Sequence, residues 1–388
     1  MPSFSTVSTR KTRELCVKSA TTAPSPNLET SYSITTFVPS YSITMKLFVL
    51  ATTLAMASAM QPLTSDVSRA AAASDYTAWK EHYAIGYAAT EDAQRFTTFV
   101  DNRALVITHN AQYTRGEVSF SLELNEFAAM SNAEFKATHL GLGGGSPARS
   151  ATDTYTPSAG AAPPASWDWR NTKNVVNPVK NQQSCGSCWA FSAVATMEGA
   201  LNLKTGALHS LSEQELVDCV NGGANTCSVG GEMYQGVEYG ISHGTMFEKD
   251  YPYKGTSGHK CKYDKSKNVH TFSGYTNVTS GDETASGLLG AAYEKPIISV
   301  GIDASGIFFQ LYFGGVYDPL FCSSTNLDHG VAVIGYGTYH KNATAPGKDY
   351  WLVRNSWGAF WGLKGYVMMA RNAKNKCGIA TQACYAHY

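Results

Sequence analysis

The string Asn181-Gln182-Gln183-Ser184-Cys185-Gly186-Ser187-Cys188-Trp189-Ala190-Phe191-Ser192 brings two thiols, three amides and two aromatic rings close together. Ala193, Val194, Met197, Ala200 and Leu201 follow at helical period. A helix is therefore expected to start near Cys188, with Ser187 or a neighbour as its cap. A thiol at that end faces unpaired backbone N–H groups and the positive end of the helix dipole. Both favour the thiolate, which is the nucleophilic form.

Such a thiol needs a base. In Leu327-Asp328-His329-Gly330-Val331-Ala332-Val333, His329 heads an apolar strand and can turn its ring into a cleft. In Tyr350-Trp351-Leu352-Val353-Arg354-Asn355-Ser356-Trp357, Asn355 ends an expected alternating strand. An amide there can accept from one imidazole N–H and so fix the tautomer and the ring orientation. Thiol, imidazole and amide together are candidates for a nucleophilic site. Taken singly, a His or an Asn at a strand end is more often structural. Two other chemistries compete for Cys185 and Cys188. A redox pair of the thioredoxin kind has Trp before the first Cys, whereas Trp189 follows the second. A zinc site needs a second ligand pair at comparable spacing, and none stands out. No metal and no cofactor are expected.

Behind these residues lies a chain of 388 residues, enough for two or three globular units. Its 30 basic and 30 acidic residues cancel, which argues against a nucleic-acid partner. Hydrophobic residues at 43% supply a core and argue against bulk disorder. Nine cysteines leave at least one outside any intrachain pairing. Met45-Lys46, an apolar run from Leu47 to Met56 and Ala57-Ser58-Ala59 have the parts of a secretory signal, too short for a membrane span. We expect Met45 to be the true start. Residues 1–44, with 18 Ser or Thr and two acidic residues, then form a misassigned extension, the rival being a transit-type leader. The expected layout is a signal over 45–59, a helical segment over 60–142, a flexible Gly/Ser/Pro linker over 143–162 and a Cys-rich domain over 163–388. Signal and cysteines imply the secretory pathway, ending outside the cell or in a lysosome or vacuole. Asn277-Val278-Thr279 and Asn342-Ala343-Thr344 are candidate glycan acceptors.

The Cys188, His329 and Asn355 strings together resemble the papain family of cysteine peptidases, most closely its cathepsin L-like branch. His329 falls within the family's rough 130–150-residue spacing from the Cys and Asn355 a little beyond it. The resemblance implies an α+β fold of two lobes, a helical lobe carrying Cys188 and a β-barrel-like lobe carrying His329 and Asn355, with a cleft between. It makes Cys188 the nucleophile, His329 the acid and base, and Asn355 the orienting amide. Gln182 becomes an oxyanion donor and Trp357 the cover of the Asn–His bond. It pairs Cys185 with Cys227, Cys219 with Cys261 and Cys322 with Cys377, leaving Cys384 as a free thiol or an intermolecular link. Gln183 stands where Gly is usual, which strains that residue if its φ is positive.

By the same resemblance Gly230 and Gly231 pair with substrate backbone beside Asp328. Met233, Leu327, Gly301 and Gln382 then line the second subsite, with Gln382 as its floor. A neutral amide there suits Leu, Phe or Val and lacks the charge that would attract Arg. Glu91, Arg95, Phe99, Asn102, Val106 and Asn110 keep to one helical face and resemble the family's E-R-F-N-I-N propeptide motif. Asn125 and Phe127 match the second propeptide motif, with Glu123 in place of its Gly and Ala129 in place of its Asp. The implied protein is a monomeric zymogen of an endopeptidase. It takes protein and peptide substrates, with its own propeptide as inhibitor, and is freed by cleavage in the linker. Two alternatives stay open: disulfide exchange through Cys185 and Cys188, and an inactive relative acting as a binding protein.

Overall fold

The computed structural model describes residues 66–143, 153–160, 162–267 and 269–388. The extension over 1–44 and the signal over 45–59 lie outside the described residues. The described residues open with two helices, α1 (Asp66–His82) and α2 (Ala89–Arg115). A short strand β1 (Phe120–Leu122) and helix α3 (Asn132–His139) follow, the helix capped by the Ser131 hydroxyl on Glu134 N. Two two-residue strands, β2 (Asp153–Thr154) and β3 (Trp167–Asp168), lead into α4 (Cys188–Thr205), α5 (Glu213–Cys219) and α6 (Met233–Ser242). The remainder is β4 (Gly274–Asn277), α7 (Leu288–Glu294), β5 (Ile298–Ile302), α8 (Ile307–Gln310) and β6 (Tyr312–Tyr317), then β7 (His329–Tyr339), β8 (Lys348–Arg354), β9 (Tyr366–Ala370) and β10 (Ala383–His387).

The strands run in the order β1-β6-β9-β8-β7-β5-β10-β4-β2, with β3 paired to β7. That path is open, so the expected barrel-like lobe is a mixed sheet and not a closed barrel. The segments before the Cys-rich domain supply both of its edges: β1 lies antiparallel on β6 and β2 parallel on β4. Edge strands expose unpaired N–H and C=O groups, and these additions cover them. One core packs the first helices against the sheet, through Phe99, Phe127 and Phe135 on one side and Ile302, Phe309 and Trp357 on the other. A second surrounds α4, whose residues from Cys188 to Gly199 are all buried between α6, β5 and β7. A helix apolar on every side fits only such an interior position.

The motif face of α2 does structural work. Arg95 reaches Glu91 at 2.8 Å and grips both oxygens of Glu134 on α3. Phe99 is fully buried beside Tyr76 and Trp79, and Val106 is buried too. Asn102 donates to the Ala128 carbonyl, while Asn110 both donates to and accepts from the Leu122 backbone, pinning β1. Asn125 donates to the Gln310 carbonyl and accepts from Phe127 N.

Three local expectations change. The stretch over 143–162 is not a bare tether throughout. Tyr155 is buried, its N–H bonds the Asn277 carbonyl, and its hydroxyl bonds Glu294. One aromatic anchor inside a polar run suffices to dock it. Ser187 occupies the N-cap of α4 but makes no side-chain cap, because its hydroxyl points elsewhere. Strand β8 ends at Arg354, one residue before Asn355, and is buried without alternation over its last four residues, because Leu352 shares a cluster with Ala195 of α4 while Trp351 and Val353 belong to the core that holds Phe99 and Phe135.

Candidate active site

Helix α4 delivers Cys188 at its first residue, fully buried and free of any disulfide. Strand β7 delivers His329 at its first residue, also fully buried. The next residue, Gly330, lies against the Cys188 backbone; a Cβ there would sit 3.1 Å from the Cys188 carbonyl oxygen. Asn355 follows β8, held by its N–H on the Gly365 carbonyl.

His329 Nε2 lies 2.8 Å from Asn355 Oδ1. Ser356 N donates to the same oxygen at 2.8 Å, which fixes it as the acceptor. Nε2 must then carry the proton, and Nδ1 of the neutral ring is the bare nitrogen. That nitrogen is buried without a partner among the described residues. Trp357 stacks on the ring at 4.6 Å and covers the Asn–His bond.

Gln182 is buried and held from several sides. Its N–H bonds the Ser356 carbonyl at 2.7 Å, and its Oε1 accepts from the Ser356 hydroxyl at 2.6 Å. This leaves Nε2 as the outward donor, bonded to the carbonyls of Cys185 and His139. Gln183 does adopt a positive φ of 54°. Its N–H is caught by Asn181 Oδ1, which offsets part of a strain on the order of 1 kcal/mol.

Three disulfides, Cys185–Cys227, Cys219–Cys261 and Cys322–Cys377, join the pairs that the resemblance implies. Cys384 is a buried free thiol in β10.

The cleft is occupied by the chain's own residues 139–143. Gly231 N bonds the Gly141 carbonyl at 2.9 Å and Gly143 N bonds the Gly231 carbonyl at 3.0 Å, a parallel bridge beside Gly230. Leu142 N bonds the Asp328 carbonyl at 3.1 Å. The Leu142 side chain fills a pocket that brings together the expected subsite residues. A Cβ at Gly301 would lie 2.9 Å from Leu142, 3.0 Å from Leu327 and 3.1 Å from Gln382 Oε1. Met233 and Leu327 share its apolar cluster. The Gln382 amide nitrogen is held by Glu232 at 2.8 Å. The carboxyl of Asp328 is pushed up to about 7 by burial.

Burial sets the charge state here. It pushes the Cys188 thiol up to about 11, against the pull of the Gly330, Gly141 and Trp189 N–H groups. It pushes His329 down to about 4, against the Asn355 bond. With residues 139–143 in place, thiol and imidazole are therefore both neutral near pH 7.

Residues 163–387 match the family described as papain family cysteine protease, and residues 76–135 match the cathepsin propeptide inhibitor domain. The chain belongs to the papain family. It is a cathepsin L-like cysteine protease zymogen carrying a propeptide inhibitor domain. Among its papain-family relatives, digestive cysteine proteinase 2 of Homarus americanus is 42% identical over 82% of this chain and 96% of its own length. Cathepsin L2 of Homo sapiens is 41% identical over 79% of this chain and 90% of its own. The structure of digestive procathepsin L 3 from Tenebrio molitor superposes with a TM-score of 0.73 at 38% identity, covering 82% of this chain and 99% of that one.

Four contributors are not evident from the sequence. Ser356, which orients the Gln182 amide, adjoins Asn355 in the quoted string and has no spacing signal of its own. Gly141 and Leu142 act through backbone bonds and one aliphatic side chain, which look like the start of a linker. His139 was an ordinary residue of a polar helix.

Proposed function

We propose that Cys188 is the nucleophile of an endopeptidase, with His329 as acid and base, Asn355 as its orienting amide and Gln182 as an oxyanion donor. The observation that carries this is the His329 Nε2–Asn355 bond beneath Trp357, which leaves a bare Nδ1 on the residue before Gly330, itself packed on the Cys188 backbone. Once the propeptide leaves, water and substrate replace its apolar cover. Nδ1 can then take the thiol proton, giving a thiolate and an imidazolium.

The thiolate attacks the scissile carbonyl carbon, forming the C–S bond and an oxyanion. Gln182 Nε2 and the Cys188 N–H donate to that oxygen. The imidazolium passes its proton to the leaving amine as the C–N bond breaks. His329 then takes a proton from water, hydroxide displaces the thiolate, and the acid product departs.

The propeptide inhibits by occupying the same groups. The His139 carbonyl sits on the Gln182 donor, Gly231 is bridged, and Leu142 fills the pocket. A leucine in that pocket supports a preference for Leu, Phe or Val two residues before the cut. Cleavage within 144–162 would release the enzyme as a monomer with a terminus near Pro163. The three disulfides fit an oxidising destination, in the secretory route or a lysosome or vacuole. A peptide library on the acid-processed enzyme tests the preference: apolar residues should lead at that subsite, and leading Arg or Lys overturns it. Gln182→Ala should lower kcat by about 10²–10³; unchanged kcat removes Gln182 from the oxyanion site.

A further inference from the structure

We infer that Tyr253 is a positioning residue for the oxyanion site, its single hydroxyl bracing the two backbone segments that carry the Gln182 and Cys188 donors. The inference rests on the assignment of Gln182 above. The Tyr253 hydroxyl donates to the Gln182 carbonyl at 2.7 Å. That carbonyl only accepts, so the phenol proton is spent there. The Ser187 hydroxyl lies 2.7 Å from the same phenol oxygen and therefore donates to it; its other acceptor, the Cys185 carbonyl, is distant at 3.4 Å.

One side chain thus ties residue 182 to residue 187, the neighbour of the nucleophile. This explains why Ser187 gives up the cap of α4. A capping serine would bond an N–H of the first turn, whereas here that hydroxyl joins the brace. The brace is needed because Gln183 holds a left-handed conformation within the same loop. Relaxation of that residue would rotate the 182–183 peptide and carry the Gln182 side chain with it.

Tyr253 itself is well anchored. Its N–H bonds Glu248 at 2.8 Å, and its ring meets Phe191 of α4 edge-on at 4.9 Å. Two residues earlier, the Tyr251 carbonyl accepts from Ser212 and the Tyr251 hydroxyl bonds Asp218. Substrate does not need to touch Tyr253 for any of this; it acts through Gln182 and Ser187.

Tyr253→Phe removes the hydroxyl and keeps the ring. The test compares wild type, Tyr253→Phe, Ser187→Ala, Gln182→Ala and the Tyr253→Phe/Gln182→Ala double variant, each made as the full chain. Each is converted in trans by a trace of tagged wild type that is then removed. Three quantities are read: kcat and KM on a peptide amide, and the rate of thiol alkylation by iodoacetamide, which forms no oxyanion. Tyr253→Phe should lower kcat by about tenfold, with KM and alkylation rate within about twofold of wild type. Ser187→Ala should lower kcat in the same direction, by about threefold, and carries the test if Tyr253→Phe does not fold. In the Gln182→Ala background the Tyr253 effect should shrink to about twofold or less. Full kcat in Tyr253→Phe beside an impaired Gln182→Ala overturns the inference and leaves the oxyanion assignment standing. So does an undiminished tenfold loss in the double variant, or an alkylation rate that falls in parallel with kcat. Full kcat in Gln182→Ala overturns the assignment and the inference with it.

Discussion

Gly141→Ala is the sharpest probe of how the propeptide is seated. A Cβ at that position would lie 2.0 Å from the Gly186 carbonyl oxygen, 2.4 Å from its carbon and 2.6 Å from Gly186 Cα. All three atoms are backbone. Gly186 is held by its N–H on the Cys227 carbonyl and by the adjacent Cys185–Cys227 disulfide, so it has little room to yield. The propeptide must retreat by more than about 1 Å to reach ordinary contact. That retreat breaks the bond from Gly231 N to the Gly141 carbonyl and loosens those at Leu142 N and Gly143 N. Two hydrogen bonds at about 1 kcal/mol each, with about 1 kcal/mol of residual strain, come to about 3 kcal/mol. The open fraction of the zymogen should rise by a factor of roughly 10². The assay is the rate at which a thiol reagent labels Cys188 in the uncleaved zymogen at pH 7.5. Gly86→Ala is the control, because a Cβ there meets nothing within 4 Å. Equal labelling rates for Gly141→Ala, Gly86→Ala and wild type would refute the reasoning.

His139 should give the zymogen part of its acid sensitivity. It is buried against Phe127, Phe135 and Trp357, with Glu134 and Lys136 on its own helix and His329 across the interface, and burial pushes it down to about 4. The released propeptide therefore binds the extra proton first. Docking is at full strength above about pH 6.5 and weakens as pH falls toward 4, by about 3 kcal/mol at most. Glu126 and Asp328, both pushed up to about 7, act in the opposite direction, because the docked state binds their protons more tightly. His139→Gln should flatten the rise in propeptide release between pH 6.5 and 4; an unchanged slope rejects the assignment. Lys180 reaches Glu198 at 2.8 Å and Glu213 at 2.7 Å beneath the site. Lys180→Met leaves both carboxylates buried without it and should cost about 3–5 kcal/mol of stability, read from the urea midpoint at pH 7; a loss under about 1 kcal/mol contradicts that.

Cys188, His329 and Asn355 were conspicuous as candidates because each adjoins an apolar run, whereas Gln182 stands in the polar run Asn181-Gln182-Gln183-Ser184 and was reached only through the resemblance. The motif face of α2 was legible for a related reason: Arg95, Asn102 and Asn110 are costly to bury unless each meets a partner, and each does. What escaped was carried by backbone. The strands β1 and β2 at the sheet edges, the bridge at Gly231 and the seat of Leu142 depend on N–H and C=O groups that every residue owns. Ser187 shows the limit of local rules. Its place before α4 says cap, but a tyrosine brought from residue 253 by the fold claims its hydroxyl.

Hydrolysis by the single thiol of Cys188 is the step on which the proposed function rests. It is tested by treating the acid-processed protein with a thiol-directed, substrate-like label and mapping the modified residue by mass. Cys188 should carry the label in proportion to lost activity, with Cys185 still joined to Cys227 and Cys384 untouched. Label on Cys384, label on a reduced Cys185, or full activity after stoichiometric modification of Cys188 would contradict it.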